Sequence, residues 1–181
     1  MSRIKQHGKA ILSSALCLCI VCLVVTIAVA GTHYLTNEQI LAQQQKSFEA
    51  SMRRLLPGDR FEQMYIYEEE NASIYRAYDR EGLFIGYLIS TQSMGYGGFI
   101  QVLTAIVDEK VYAVEIVDIG HETPGLGTQI TQDAFLEQFI QKKESEVQAI
   151  TGATISSNAV IEAVNTAMDL YFTVRDDPDS L

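Results

Sequence analysis

The residues best placed to do chemistry lie in one run, Ile150-Thr151-Gly152-Ala153-Thr154-Ile155-Ser156-Ser157-Asn158, where small and hydroxyl-bearing residues lead into an amphipathic pattern. Ala159, Val160, Ala163, Val164, Ala167, Met168 and Tyr171 recur at helical spacing, so a helix over 158–171 is expected, capped by Ser156, Ser157 or Asn158. Thr154 then stands just upstream of a helix N-terminus, where unpaired backbone N–H groups and the helix dipole favour an anion such as a phosphate. Thr154 is an unactivated alcohol with no Ser-His-Asp or Thr-amine arrangement around it, so it reads as an acceptor of a group and not as a catalyst. Taken alone, the same residues also suit an ordinary turn and cap.

Two further segments accompany this run: Ser93-Met94-Gly95-Tyr96-Gly97-Gly98-Phe99-Ile100 and His121-Glu122-Thr123-Pro124-Gly125-Leu126-Gly127. Together the three resemble the FMN-binding domains of bacterial membrane redox complexes. In order and spacing they are similar to the G subunit of the Rnf electron-transport complex and, more distantly, to the C subunit of the sodium-translocating NADH:quinone reductase. The detailed similarity covers residues 86–171. It implies covalent FMN, joined through a phosphoester to Thr154, with Thr151, Gly152 and Ala153 completing the turn. It also implies that a separate exported flavin transferase takes the FMN from FAD. The loop of Glu122, Thr123, Leu126 and Gly127 is expected against the flavin ring, Thr123 and backbone N–H groups meeting its polar edge and Leu126 covering a face. Tyr96 would stack on or near the ring. Residues 121 and 122 also read as a solvated loop pair, and the glycines around Tyr96 as a bend between strands. One position departs from the family: an aspartate usually lies six residues before the modified threonine, and here Gln148 does, with Glu146 the nearest acid.

The elements that must carry these segments follow from pattern. Residues 61–68, 72–78, 83–91, 99–107 and 111–119 are rich in β-branched and aromatic side chains and joined by short turns, which implies antiparallel hairpins. Tyr65, Tyr67, Tyr75 and Tyr78 alternate as ordinary strand residues. Helices are expected over 37–55, ended by Pro57-Gly58, over 132–140, and over 158–171. Strands grouped apart from helices indicate an α+β domain, an antiparallel sheet with packed helices, and no Rossmann fingerprint is present.

Residues 10–30 carry no charge and are apolar except Ser13, Ser14 and Thr26; as a helix they span roughly 30 Å, enough for a bilayer. Arg3, Lys5 and Lys9 precede this run, and the next Lys or Arg is Lys46, so the N-terminus is expected in the cytoplasm. The expected division is a cytoplasmic N-terminus at 1–9, one transmembrane helix at 10–30, a helical connector at 31–60 and an extracytoplasmic FMN-binding domain at 61–181. That describes a single-pass protein of the inner membrane with its main domain in the periplasm. The alternative is a signal peptide cleaved after Ala28-Val29-Ala30, although secretory apolar regions are usually shorter.

Cys17, Cys19 and Cys22 all fall in the apolar run, leaving the domain without thiol catalysis, cysteine-ligated iron–sulfur clusters or cysteine zinc sites. His121 lacks neighbouring ligands, and no metal is assigned. All 23 acidic and ten of the 13 basic residues follow Gly31, a formal charge of −13 that argues against nucleic acid as a partner. Two functions remain. One is a membrane-anchored electron-transfer subunit with no substrate turnover of its own, working among other membrane subunits of a ferredoxin:NAD oxidoreductase or an NADH:quinone reductase. The other is an exported binding or scaffold domain without flavin.

Overall fold

The computed structural model describes the backbone of residues 2–67, 71–141 and 146–176, and side chains at 16, 18–31, 33 and from 42 onward within those ranges. It divides into two compact units, Met1–Ser47 and Phe48–Leu181. A single helix, α1, runs Ser2–Leu55, through the residues expected as membrane helix and as helical connector. Nothing between residues 31 and 37 is a strong helix breaker, since Gly31 costs a helix only about 1 kcal/mol. Pro57-Gly58 stops it where the composition indicates.

The described backbone of the first unit, residues 2–47, is helical. At Leu16, Leu18, Ile20, Val21, Leu23, Val24, Val25, Ile27 and Val29 its apolar side chains are 53–65% exposed, on every side of the helix. Cys19 and Cys22 are likewise exposed and free of disulfides. Among the described residues, no helix is long and apolar enough to cross a membrane. The side chains of residues 1–15 and 17, which include Arg3, Lys5, Lys9, Cys17 and part of the apolar run, lie outside the described residues.

In the second unit five strands, β1 Arg60–Tyr67, β2 Ala72–Tyr78, β3 Phe84–Met94, β4 Phe99–Val107 and β5 Lys110–Asp118, form an antiparallel meander in the order β1-β2-β3-β4-β5. The expected α+β architecture is present. β3 runs three residues further than its β-branched stretch because Gln92, Ser93 and Met94 pair with Gln101, Ile100 and Phe99. A turn of 3-10 helix at Gly127–Thr131 and two short helices, α2 Asp133–Leu136 and α3 Gln138–Gln141, follow the sheet. The single helix expected over 132–140 is therefore divided at Glu137. Its buried rings Phe135 and Phe139 still meet edge-on, at 5.5 Å.

The last helix, α4 Thr154–Asp176, lies across β3 and β4. Alternation along β4 decides both faces of the sheet. Ile100, Val102 and Ile106 pack under Ala159, Val160, Ala163, Val164 and Ala167 of α4; Leu103 and Ala105 point the other way, to Met52, Leu55 and Leu56 at the end of α1. The sheet is thus buried on both sides, and truncating a fully buried residue such as Leu103 to Ala should cost about 2–5 kcal/mol. Two polar pins cross the α4 interface: the Thr91 hydroxyl donates to the Ala163 carbonyl at 2.9 Å, and the Ser93 hydroxyl to Glu162 at 2.7 Å. They fix the position of α4 along β3, and with it where its N-terminus emerges.

Candidate functional site

At that N-terminus the chain first makes a tight turn. The Ala153 N–H donates to the Ile150 carbonyl at 3.0 Å, and Gly152, third in the turn, has φ +89°, a conformation that strains residues with a Cβ. The helix begins at Thr154, four residues earlier than the apolar pattern indicates, with its first bond from the Ser157 N–H to the Ala153 carbonyl at 2.8 Å. Thr154 is therefore the first helical residue and not an upstream one, and its exposed side chain sits where α4 begins. The expected caps do not cap. Ser157 is buried and its hydroxyl accepts the Ile150 N–H at 3.1 Å, while buried Ser156 donates to Glu122 Oε2 at 2.7 Å. Both hydroxyls are taken by tertiary partners, so only the small Ala153 precedes the helix.

The loop after β5 meets this turn. Leu126 and Thr128 donate their N–H groups back to the Thr123 carbonyl at 3.2 and 3.3 Å, and the Gly125 N–H donates to the Thr128 hydroxyl at 2.9 Å. A methyl group on Gly152 would stand 3.6 Å from Leu126 Cδ2, so the two segments are in contact range despite their separation in sequence. Tyr96 projects from the hairpin between β3 and β4, closed by a Gly95 N–H to Gly98 carbonyl bond of 2.8 Å, and is 72% exposed. The bend reading of these glycines and the site reading of Tyr96 are thus compatible.

These three segments enclose one cleft of about 510 Å³. Its walls include Tyr96 from the hairpin, Glu122, Thr123, Leu126 and Gly127 from the loop, and Gly152, Ala153 and Thr154 from the turn and helix. Ile155 and Ser156, which sequence reasoning did not assign to a site, line it as well. Thr151 is exposed but does not line the cleft. The expectation that residues 121 and 122 form a solvated pair fails at Glu122, which is only 6% exposed. The Gln148 position lies outside the cleft; its backbone N–H donates to the Gln138 side-chain oxygen at 3.1 Å, which moors the strand of chain leading into the turn.

The cleft suits a flat ring carrying a phosphate. Leu126 and Ile155 are 50% and 56% exposed apolar side chains able to cover ring faces, and the start of α4 offers N–H groups and a positive dipole end to an anion. Among the described residues no three His, Cys, Asp or Glu side chains converge to hold a metal ion. A second cleft of about 510 Å³, at Arg53, Asp59, Asp79 and Arg80, carries the loose surface ion pairs Arg53–Asp59 at 3.9 Å and Arg80–Asp59 at 3.8 Å.

Comparison with known proteins agrees with this geometry. Residues 95–169 match the FMN-binding domain family, a span that begins at the hairpin and ends within α4. Residues 1–55, the whole of α1, match the RnfG N-terminal region. The chain is 32% identical to the G subunit of the proton-translocating ferredoxin:NAD(+) oxidoreductase complex of Clostridium ljungdahlii, across 86% of this chain and 89% of that protein. It is 32% identical to the G subunit of the ion-translocating oxidoreductase complex of Methanosarcina acetivorans, across 83% and 91%. It is 30% identical to the protein of the same description in Pseudoalteromonas atlantica, across 77% and 79%. The chain belongs to the family of G subunits of the Rnf-type ion-translocating oxidoreductase complexes.

Proposed function

We propose that this chain is an electron-transfer subunit of an ion-translocating ferredoxin:NAD oxidoreductase, anchored by one transmembrane helix and carrying FMN as a phosphoester on Thr154. The observation that carries the reading is the cleft itself: an exposed threonine at the start of α4 shares one cavity with the apolar side chains of Leu126 and Ile155. In the attachment step the Thr154 oxygen bonds to the phosphorus of the FMN half of FAD, the pyrophosphate P–O bond breaks, AMP leaves, and the hydroxyl proton passes to the flavin transferase. The product diester keeps one negative charge, which the N-terminal end of α4 stabilises. Bound FMN supplies reversible uptake and release of electrons; the chain supplies position. Leu126 and Ile155 would cover the ring and Thr123 and Tyr96 would border it, and among the described residues of the cleft none is assigned a role as acid or base for a substrate.

The anchor is residues 10–30. A helix that exposes apolar side chains on all sides is satisfied by lipid or by neighbouring membrane proteins of the complex, and the described part of this segment is of that kind. With Arg3, Lys5 and Lys9 on the cytoplasmic side, residues beyond Gly31 face outward, to the periplasm in a cell with two membranes. Covalent attachment prevents loss of the flavin by dilution there. The test is co-expression of the full chain with a flavin transferase, followed by denaturing electrophoresis under ultraviolet light. A fluorescent band is expected; a dark band from folded, membrane-bound protein would favour a scaffold domain without flavin.

A further inference from the structure

Glu122 stands where the three segments of the cleft meet, and its two oxygens serve different elements. Oε1 accepts the Gly97 N–H at 3.0 Å from the β3–β4 hairpin, and Oε2 accepts the Ser156 hydroxyl at 2.7 Å from the first turn of α4. The carboxylate is enclosed as well as bonded, because a Cβ on Gly95 would overlap Oε1 and one on Gly127 would overlap Oε2. Burying a carboxylate is unfavourable unless its hydrogen bonds are replaced, and here the replacements come from two segments far apart in sequence. Its own loop carries Thr123 and Leu126, so one side chain links all three walls.

We infer that Glu122 is a positioning residue that sets the separation of the Thr154 turn, the Leu126 loop and the Tyr96 hairpin before any flavin arrives. The inference rests on Thr154 being the flavin acceptor only for its consequence in loading; the linkage itself is made between groups of the chain alone. Length matters more than charge. An aspartate is one methylene short of reaching both Gly97 and Ser156, an alanine leaves both donors unpaired, and a glutamine keeps the reach. The glutamine oxygen can accept the Gly97 N–H while its NH₂ donates to the Ser156 oxygen.

The test is amide hydrogen exchange of the full-length chain in detergent, made without flavin transferase, followed by flavin occupancy by intact mass after co-expression with it. Glu122→Ala should raise exchange in segments 95–98 and 151–157 together, by about tenfold where a buried partner is lost, and lower flavin occupancy. Glu122→Gln should restore both towards wild type, and Glu122→Asp should fall between. Ser156→Ala should raise exchange in 151–157 and leave 95–98 unchanged. Should Glu122→Ala fail to fold, Glu122→Asp and Ser156→Ala still decide. Wild-type exchange in both segments for Glu122→Ala or Glu122→Asp, or a Glu122→Gln as damaged as Glu122→Ala, would overturn the inference. Flavin persisting on Thr154→Ala would instead overturn the attachment site and leave the exchange result standing.

Discussion

The two ends of α4 are secured in opposite ways. At its C-terminal end Tyr171 is buried among rings: Tyr87 at 5.4 Å and Phe172 at 5.3 Å, with Phe84 a further 5.0 Å beyond Tyr87. Arg76 lies over Tyr87 and Arg175 over Phe172, at 5.9 and 5.0 Å. At its N-terminal end the apolar side chains Ile155 and Leu126 remain half exposed, and position is fixed by hydrogen bonds through Glu122, Ser156 and Ser157. Apolar contact stabilises by closing a surface, whereas directional bonds hold backbone segments in place without filling the space between them. The end that lines the cleft uses the second means.

Breaking the aromatic end should have the largest effect on stability. Tyr171→Ala removes a buried ring and is expected to cost about 3–5 kcal/mol, read as a lower thermal midpoint. Flavin occupancy of the fraction that stays folded should remain at the wild-type level. An occupancy loss larger than the folded fraction explains would mean that the two ends are coupled.

At the cleft the balance reverses. A Cβ on Gly97 would overlap the His121 carbonyl, so Gly97→Ala must push the hairpin away from the loop, at about 1–3 kcal/mol. Its flavin occupancy should fall further than that of Tyr171→Ala at smaller cost in stability, a ranking that parallel melting curves and intact masses would check. The smallest effect belongs to Arg175→Ala. It breaks the Arg175–Glu109 ion pair of 2.7 Å and lifts the guanidinium off the Phe172 ring, solvent-exposed interactions expected to be worth about 1 kcal/mol together and to leave loading unchanged. A drop in occupancy there would remove the distinction drawn between the ends.

The same contrast explains what the sequence reveals. The five strands are legible because β-branched runs separated by turn residues carry a local signal, and α4 is legible because its buried face repeats at helical spacing. The start of α4 is not. Ser156 and Ser157 are good caps by residue type, and only tertiary partners, Glu122 and the Ile150 N–H, draw their hydroxyls inward. Glu122 is legible as a residue of the site loop but its burial is not: an acid beside a histidine in a Gly-Pro loop looks solvated, and its burial depends on a hairpin 25 residues earlier and a helix 34 residues later. The glycines flanking it, Gly95, Gly97 and Gly127, are a signal only once something is known to press against them. Thr151 shows the converse, since a motif places it next to the site while the fold leaves it outside the cleft.

The central claim is that Thr154 is the acceptor, and the most direct test is the intact mass of denatured full-length protein co-expressed with a flavin transferase. Wild type and Thr151→Ala should each carry one FMN per chain, the latter because its hydroxyl lies outside the cleft. Thr154→Ala should carry none while melting close to wild type, because an exposed hydroxyl contributes little to stability. One FMN on Thr154→Ala, or none on a folded wild type, would contradict the account.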